Sequence, residues 1–265
     1  MTWICAASNV IGSCALYSDV QVTLKDGRTR DLLQKAYPIT NSIAAGFAGS
    51  VEIGFVLLQS LTDFLRLPNW NDQVGWDPRS AAVNWAPIAK ALFGKAPVAE
   101  RALGSKILMA AASPNENCGL SAKTYLVRFS EPDFQPGIMG RPFKLCSIGS
   151  GARFDEYHKR LKPLFRWEGH IRTLQAEVGD PNGWARHMGF RISRSLARHP
   201  HSGISRHIHI IIVRRGATVV ETNDENIYRG DDPRIEIRMP KVAQGLVQFR
   251  ALAAAAGHDA AGAVC

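Results

Sequence analysis

No stretch of this sequence stays apolar for the roughly 20 residues that a membrane-spanning helix requires. It also lacks the basic region, long apolar segment and small-residue cleavage site that make up a secretion signal. A cytoplasmic location is therefore expected. Cysteine is scarce, and Cys5, Cys14, Cys118, Cys146 and Cys265 stand far apart with no CxxC pair. That odd count and wide spacing argue against a disulfide framework or a cysteine metal cluster, and fit reduced, buried thiols. There is no Gly-rich phosphate loop, no HExxH and no GxSxG elbow. The commonest routes to nucleotide, zinc-peptidase and serine-hydrolase chemistry are thereby set aside.

What is present is a chain of 265 residues, 46% hydrophobic and 21% charged, enough for a sizeable core in one generous domain or two small ones. The formal net charge of +9 permits an acidic partner. Basic residues concentrate only in 153–172 and 186–215, where they read as polar faces of amphipathic helices. A solvated face accounts for such runs without a nucleic-acid site, so no nucleic acid is expected.

The first fifty residues read as β-hairpins: a strand at 4–7, a return at 13–17, extension over 20–24 into a tight turn at Lys25-Asp26-Gly27, then 37–40 and 43–47 around Asn41-Ser42. Helical spacing begins at Val51, with Ser50 as N-cap, and Pro68 closes that helix. Asp77-Pro78 opens a second helix that Pro87 is expected to kink or split. Strands return at 107–112, 124–129 and 143–148, with 132–142 as a long loop. Helices follow at 154–166 and 183–198, then a hairpin at 204–213 and 217–221, with a possible edge strand at 234–239. The tail "ALAAAAGHDAAGAVC" is low-complexity, either a short helix or loose. Hairpins alternating with helix pairs predict two stacked sheets with helices on both outer faces, an α+β four-layer αββα sandwich.

The chain opens "MTWICAASN", an apolar strand where termini are usually frayed and polar. A strand there fixes Thr2 inside the fold. Asp19 ends the second strand, Thr23 follows four residues later, and Lys35, "AGFAGS" (45–50) and "IGSG" (148–151) come after in that order. Taken singly, Asp19 serves as a turn cap, Lys35 as a surface lysine and Ser50 as a helix cap. As an ordered set they resemble proteasome β-type subunits, most of all the short bacterial branch with HslV-type peptidases and bacterial proteasome homologues. The likeness is close over 2 to about 60 and loose over 143–213.

The resemblance implies an N-terminal nucleophile hydrolase, a threonine endopeptidase whose Thr2 is exposed by removal of Met1. Thr2 would be nucleophile and, through its amine, base; an α-amine titrates near 7.7 to 8.0, close to working pH. Lys35 would favour the developing alkoxide, and Asp19 would keep Lys35 charged. Gly49 would donate its N–H to the oxyanion, and Ser150 and Ser202 would support the amine. Thr23, Ala48 and Ser50 would line the substrate cleft. The domain would span 2–221, with insertions near 68–78 and 114–142, followed by an extension over 222–265. No cofactor and no metal are implied. The partners implied are a peptide or polypeptide substrate, a homo-oligomeric double ring and an ATP-dependent unfoldase, with no membrane. A second apolar stripe on the first helix, Val56, Leu57 and Phe64 beside Phe55, Leu58 and Leu65, also suits a ring contact.

Two features depart from the pattern. The first hairpin carries one residue more, and His199 stands where relatives place an Asp ahead of Ser-Gly. A catalytically silent ring subunit, acting as scaffold or binding platform, is the alternative this raises. Four histidines, His199, His201, His207 and His209, crowd one region; no completing Cys or carboxylate spacing accompanies them, so surface or packing roles are expected over zinc.

Overall fold

The computed structural model describes residues 2–66, 77–141, 144–161, 163, 182–201, 203–221, 240 and 242–265. The strands β1 (Ile4–Ser8) and β2 (Cys14–Asp19) form a hairpin closed by Asn9, whose Oδ1 accepts from the amides of Ile11 (3.2 Å) and Ser13 (2.8 Å). A two-stranded ribbon follows, β3 (Gln21–Thr23) with β4 (Thr29–Asp31), turned where the sequence placed Lys25-Asp26-Gly27. β5 (Ala36–Thr40) and β6 (Ile43–Gly49) make the next hairpin. Next come helices α1 (Val51–Leu65), α2 (Pro78–Lys95) and α3 (Val98–Ala102). Strands β7 (Ser105–Cys118), β8 (Ser121–Ser130), β9 (Gly137–Met139) and β10 (Leu145–Ile148) precede a 3-10 turn at Ser150–Arg153. Helices α4 (Asp155–Leu161) and α5 (Gly183–Arg198), strands β11 (Ile208–Arg214) and β12 (Ala217–Glu221), and helix α6 (Leu246–Ala255) complete the order.

Two antiparallel five-stranded sheets result, β10-β1-β2-β11-β12 and β5-β6-β7-β8-β9. Strand alternation sorts their side chains between layers. Ile4, Leu16 and Ile211 meet Ala44, Leu108 and Leu126 between the sheets, and alanines at 6, 48, 110 and 112 join this inner layer. The opposite face of the first sheet, with Trp3, Tyr17 and Ile210, is covered by Tyr157 of α4 and Trp184, Met188 and Ile192 of α5. The outer face of the second sheet, with Phe47, Met109 and Phe129, is covered by Leu57 and Leu61 of α1 and Trp85 and Ala89 of α2. The expected αββα sandwich is the architecture found.

Several expectations need correction. Helix α2 runs through Pro87 without a break. Pro87 lies on the exposed face, as does Val83 one turn earlier, so the carbonyl left without its partner faces water. The region from 114 to 130 is mostly paired strand, and part of the expected 132–142 loop forms β9. Cys118 is exposed, while the other four cysteines are buried. Of the two readings of the tail, the short helix is the one found: Phe249 and Ala253 of α6, then Ala260, Ala263 and Cys265, pack into the core beneath the second sheet. Of the α1 stripes, Leu57 and Phe64 are buried and only Val56 is open. The expected break at Pro68, the edge strand at 234–239 and the latter part of the 154–166 helix lie outside the described residues. Among the described residues, no helix is long and apolar enough to cross a membrane.

Two of the basic residues ascribed to solvated faces tie elements together at the surface. Arg186 of α5 donates to Glu221 of β12 at 3.1 Å, and Arg215 donates to the carbonyls of Ser113 (2.9 Å) and Glu116 (2.7 Å).

Candidate active site

Strand β1 delivers Thr2 to the end of the first sheet, and β2 returns to place Asp19 beside it. The pairing is tight there: the Asp19 amide donates to the Trp3 carbonyl at 3.1 Å, and the Trp3 amide donates to Asp19 Oδ2 at 2.5 Å. Asp19 Oδ1 also accepts from the Gln21 amide at 2.9 Å. Lys35 reaches the same point from the link between β4 and β5, held there by its carbonyl accepting from the Phe47 amide at 3.0 Å. Its Nζ donates to Asp19 Oδ1 and to Thr2 Oγ1, each at 2.8 Å, and to the Gln21 carbonyl.

All three side chains are sealed from solvent. Burial pushes the Asp19 carboxyl up, while the Lys35 ammonium and the amides of Trp3 and Gln21 oppose that push. A buried ammonium and carboxylate tolerate desolvation only when their remaining donors and acceptors are satisfied. Here Lys35 has three acceptors and Asp19 three donors, so the pair is fully engaged.

The turn after β10 supplies the next group. The main-chain nitrogen of Thr2 donates to Ser150 Oγ at 2.9 Å, and Ser150 Oγ approaches the Thr2 carbonyl at 3.3 Å. This close approach depends on Gly149, which has φ of 85°; a Cβ there would stand 2.3 Å from the Thr2 carbonyl oxygen. Gly49 ends β6 with φ of 105°, and a Cβ there would meet the Gly104 carbonyl oxygen at 2.3 Å. Its N–H points into a cleft whose other wall is β3, and in that cleft it donates to the Cys265 carbonyl at 2.8 Å.

Thr2, Asp19, Lys35 and Ser150 therefore converge, with Gly49 and Thr23 on the two walls of the adjoining cleft. Ala48 turns into the layer between the sheets, where it contacts no cleft. Ser50 lends its hydroxyl to the helix: Oγ accepts from the Ile53 amide at 3.1 Å and donates to Glu100 at 2.5 Å. Its main chain, bridged to Val264, is what borders the cleft. Ser202 lies outside the described residues.

Comparison of the sequence finds no matching protein-family model and no matching curated protein. Comparison of the structure does find a match. The crystal structure of eukaryotic HslV from Trypanosoma brucei superimposes at a TM-score of 0.51 and 18% identity, over 80% of this chain and 99% of that one. This chain has the HslV fold. The match takes in nearly all of HslV and leaves part of the longer chain outside it.

The four histidines do not share a site. His199 caps α5 and accepts from the Tyr157 hydroxyl through its carbonyl (2.9 Å), and His201 stacks on Phe154 at 3.9 Å. His207 Nδ1 bonds Asp31 Oδ2 at 2.7 Å, beside the Ser205 hydroxyl, which donates to the same oxygen at 2.8 Å. Burial tends to raise the Asp31 carboxyl, but these hydrogen bonds outweigh it and hold the group below its usual range. His209 is buried on β11, on the side of Ile211 and Val213. Among the described residues no three metal-ligating side chains converge.

Sequence reasoning missed three parts of this region. The Gln21 carbonyl and the Trp3 amide act through the main chain and leave no mark on side-chain identity. The Asp31–His207 pair joins residues 176 positions apart. The tail in the cleft, Ala263-Val264-Cys265, is held by main-chain hydrogen bonds and so had no visible signal.

Proposed function

We propose that this chain is a threonine-type peptidase or amidohydrolase of the proteasome-like class. The observation that carries the reading is the buried Lys35 ammonium, 2.8 Å from both the Thr2 hydroxyl and the Asp19 carboxylate. With Met1 removed, the Thr2 amine accepts the proton of its own hydroxyl, and Oγ1 adds to the substrate carbonyl carbon. Lys35 stabilises the forming alkoxide, and Asp19 offsets the cation's charge. The Gly49 N–H donates to the tetrahedral oxyanion. Collapse breaks the C–N bond as the ammonium returns a proton to the leaving amine. The ester left on Thr2 is then hydrolysed by water activated by the same amine. Ser150 holds the amine in place throughout.

Such a nucleophile suits a ring of identical subunits that admits unfolded polypeptide, fed by an ATP-dependent unfoldase. Intact mass tests the first step: retention of Met1 rules this mechanism out. A tripeptide epoxyketone ending in alanine tests the second, with an adduct on Thr2 expected that Thr2→Ala lacks.

A silent ring subunit is the second reading. It is favoured by His199 in the position of the family Asp and by the occupied cleft. Absence of any Thr2 adduct, in chains with Met1 removed and the cleft cleared, would favour it.

A further inference from the structure

We infer that residues 263–265 are a resident pseudosubstrate, a strand of the chain's own tail that occupies the peptide cleft and restrains the Thr2 centre. The inference concerns regulation of the site proposed above and rests on that reading.

The seating is that of an inserted strand. The Val264 amide and carbonyl exchange hydrogen bonds with Thr23, at 2.9 Å each. The Cys265 amide and carbonyl exchange hydrogen bonds with Gly49, at 2.8 Å each, and the Val51 amide donates to the Ala263 carbonyl at 3.2 Å. Successive residues of an extended chain direct their main-chain groups to opposite sides, so the tail pairs with β3 on one edge and the end of β6 on the other. A substrate strand would need these same groups. The donor assigned to the oxyanion is the one filled by the Cys265 carbonyl. The Cys265 side chain is buried in hydrogen-bond contact with Thr2. Burial pushes that thiol up to about 11, which keeps it neutral and no rival to Thr2 as a nucleophile.

The tail is also anchored upstream, as a tethered occupant must be. Arg250 of α6 grips both Glu52 oxygens (2.6 and 2.7 Å), Phe249 is buried, and His258 Nδ1 lies 3.1 Å from Asp26 on the β3–β4 turn. A segment held this close acts at an effective concentration near millimolar, which a free peptide must outcompete. The register also places a small side chain, Cys265, where the residue before the cleaved bond would sit, so small apolar residues are the expected preference there.

The test uses three proteins with Met1 removed: the full chain, Val264→Pro, and a chain ending at Gly257. Proline removes the N–H that Thr23 accepts and leaves the buried residues in place, so it serves if the shortened chain does not fold. Labelling of Thr2 by the alanine epoxyketone is expected to be at least about tenfold faster in the two variants than in the full chain, the scale of a tether competing at millimolar concentration. In parallel, alkylation of the native proteins is mapped by mass spectrometry. Cys118 should react in all of them, while Cys265 should be protected in the full chain and reactive in Val264→Pro. Equal labelling rates in all three overturn the pseudosubstrate and leave the peptidase reading intact. Alkylation of Cys265 as fast as Cys118 in the full chain overturns it whatever the activity. No labelling in any of the three ends the peptidase reading, and the inference with it.

Discussion

Lys35 is the side chain whose loss the molecule should feel most. Lys35→Met leaves the Asp19 carboxylate buried without its cation, which typically costs about 3–5 kcal/mol. Labelling of Thr2 should fall by about 10²–10³, the range for losing one donor that stabilises developing negative charge. Pairing it with Asp19→Asn should recover most of the stability and none of the labelling. Urea midpoints read the first and the epoxyketone rate the second; equal stability of the two variants would refute the ion-pair account. His209 gives a pH dependence of opposite origin. Burial lowers it to about 4, so the folded state stays neutral where the unfolded chain takes up a proton. That difference is absent above the unfolded value near 6.5 and grows as pH falls toward 4. Stability should therefore drop by about 2 kcal/mol between pH 7.5 and pH 5 from this group alone. His209→Phe should flatten that part of the curve.

At the scale of elements, helix ends and turns decide what a substitution does. Asp77 caps α2 by accepting from the amides of Arg79 (3.1 Å) and Ser80 (2.9 Å), and Asp77→Ala should cost about 1 kcal/mol. Pro87→Ala, on the exposed face of the same helix, should stabilise by up to about 3 kcal/mol, read as a rise in Tm. Gly49→Ala has no room and the wrong φ, so it should abolish labelling and destabilise by at least about 1–3 kcal/mol. The sequence disclosed most of these elements because period and punctuation agree there: Ser50 and Asp77 before helical spacing, Asn41-Ser42 between alternating strands. Thr2, Asp19, Lys35 and Ser150 stand out only as an ordered set that resembles proteasome β-type subunits; singly, Asp19 reads as a turn cap and Lys35 as a surface lysine. β4 and β9 escaped notice because no alternating apolar residues run through them, as Val20, Val22 and Leu24 do through the equally short β3. The seated tail escaped for a different reason. Its hold on the cleft is made by main-chain groups, which every residue carries, and its alanines and glycines read as looseness until a neighbouring strand supplies partners.

For the whole molecule, the open question of assembly has a candidate face. Val247 of α6 (81% exposed) and Val56 of α1 (49%) line a groove of about 1200 Å³ together with Tyr37, Phe55, Ile88 and Leu92. Contiguous exposed apolar surface of this kind usually meets a partner. If rings form through it, light scattering should give a large multiple of 29.0 kDa that collapses in Val56→Asp/Val247→Asp. A monomer mass for the unmodified chain would remove the ring from the proposal.

The seating of Cys265 against Gly49 also bears on how the protein is handled. Under the proposed function, an affinity tag appended after Cys265 would start in the cleft, with its first peptide bond beside Thr2. Such a fusion should either lose its tag on storage, unless Thr2 is replaced by Ala, or dislodge the tail and show a higher labelling rate than the untagged chain. Mass spectrometry of an aged preparation would distinguish the two outcomes, and activities measured on tagged and untagged protein should not be pooled.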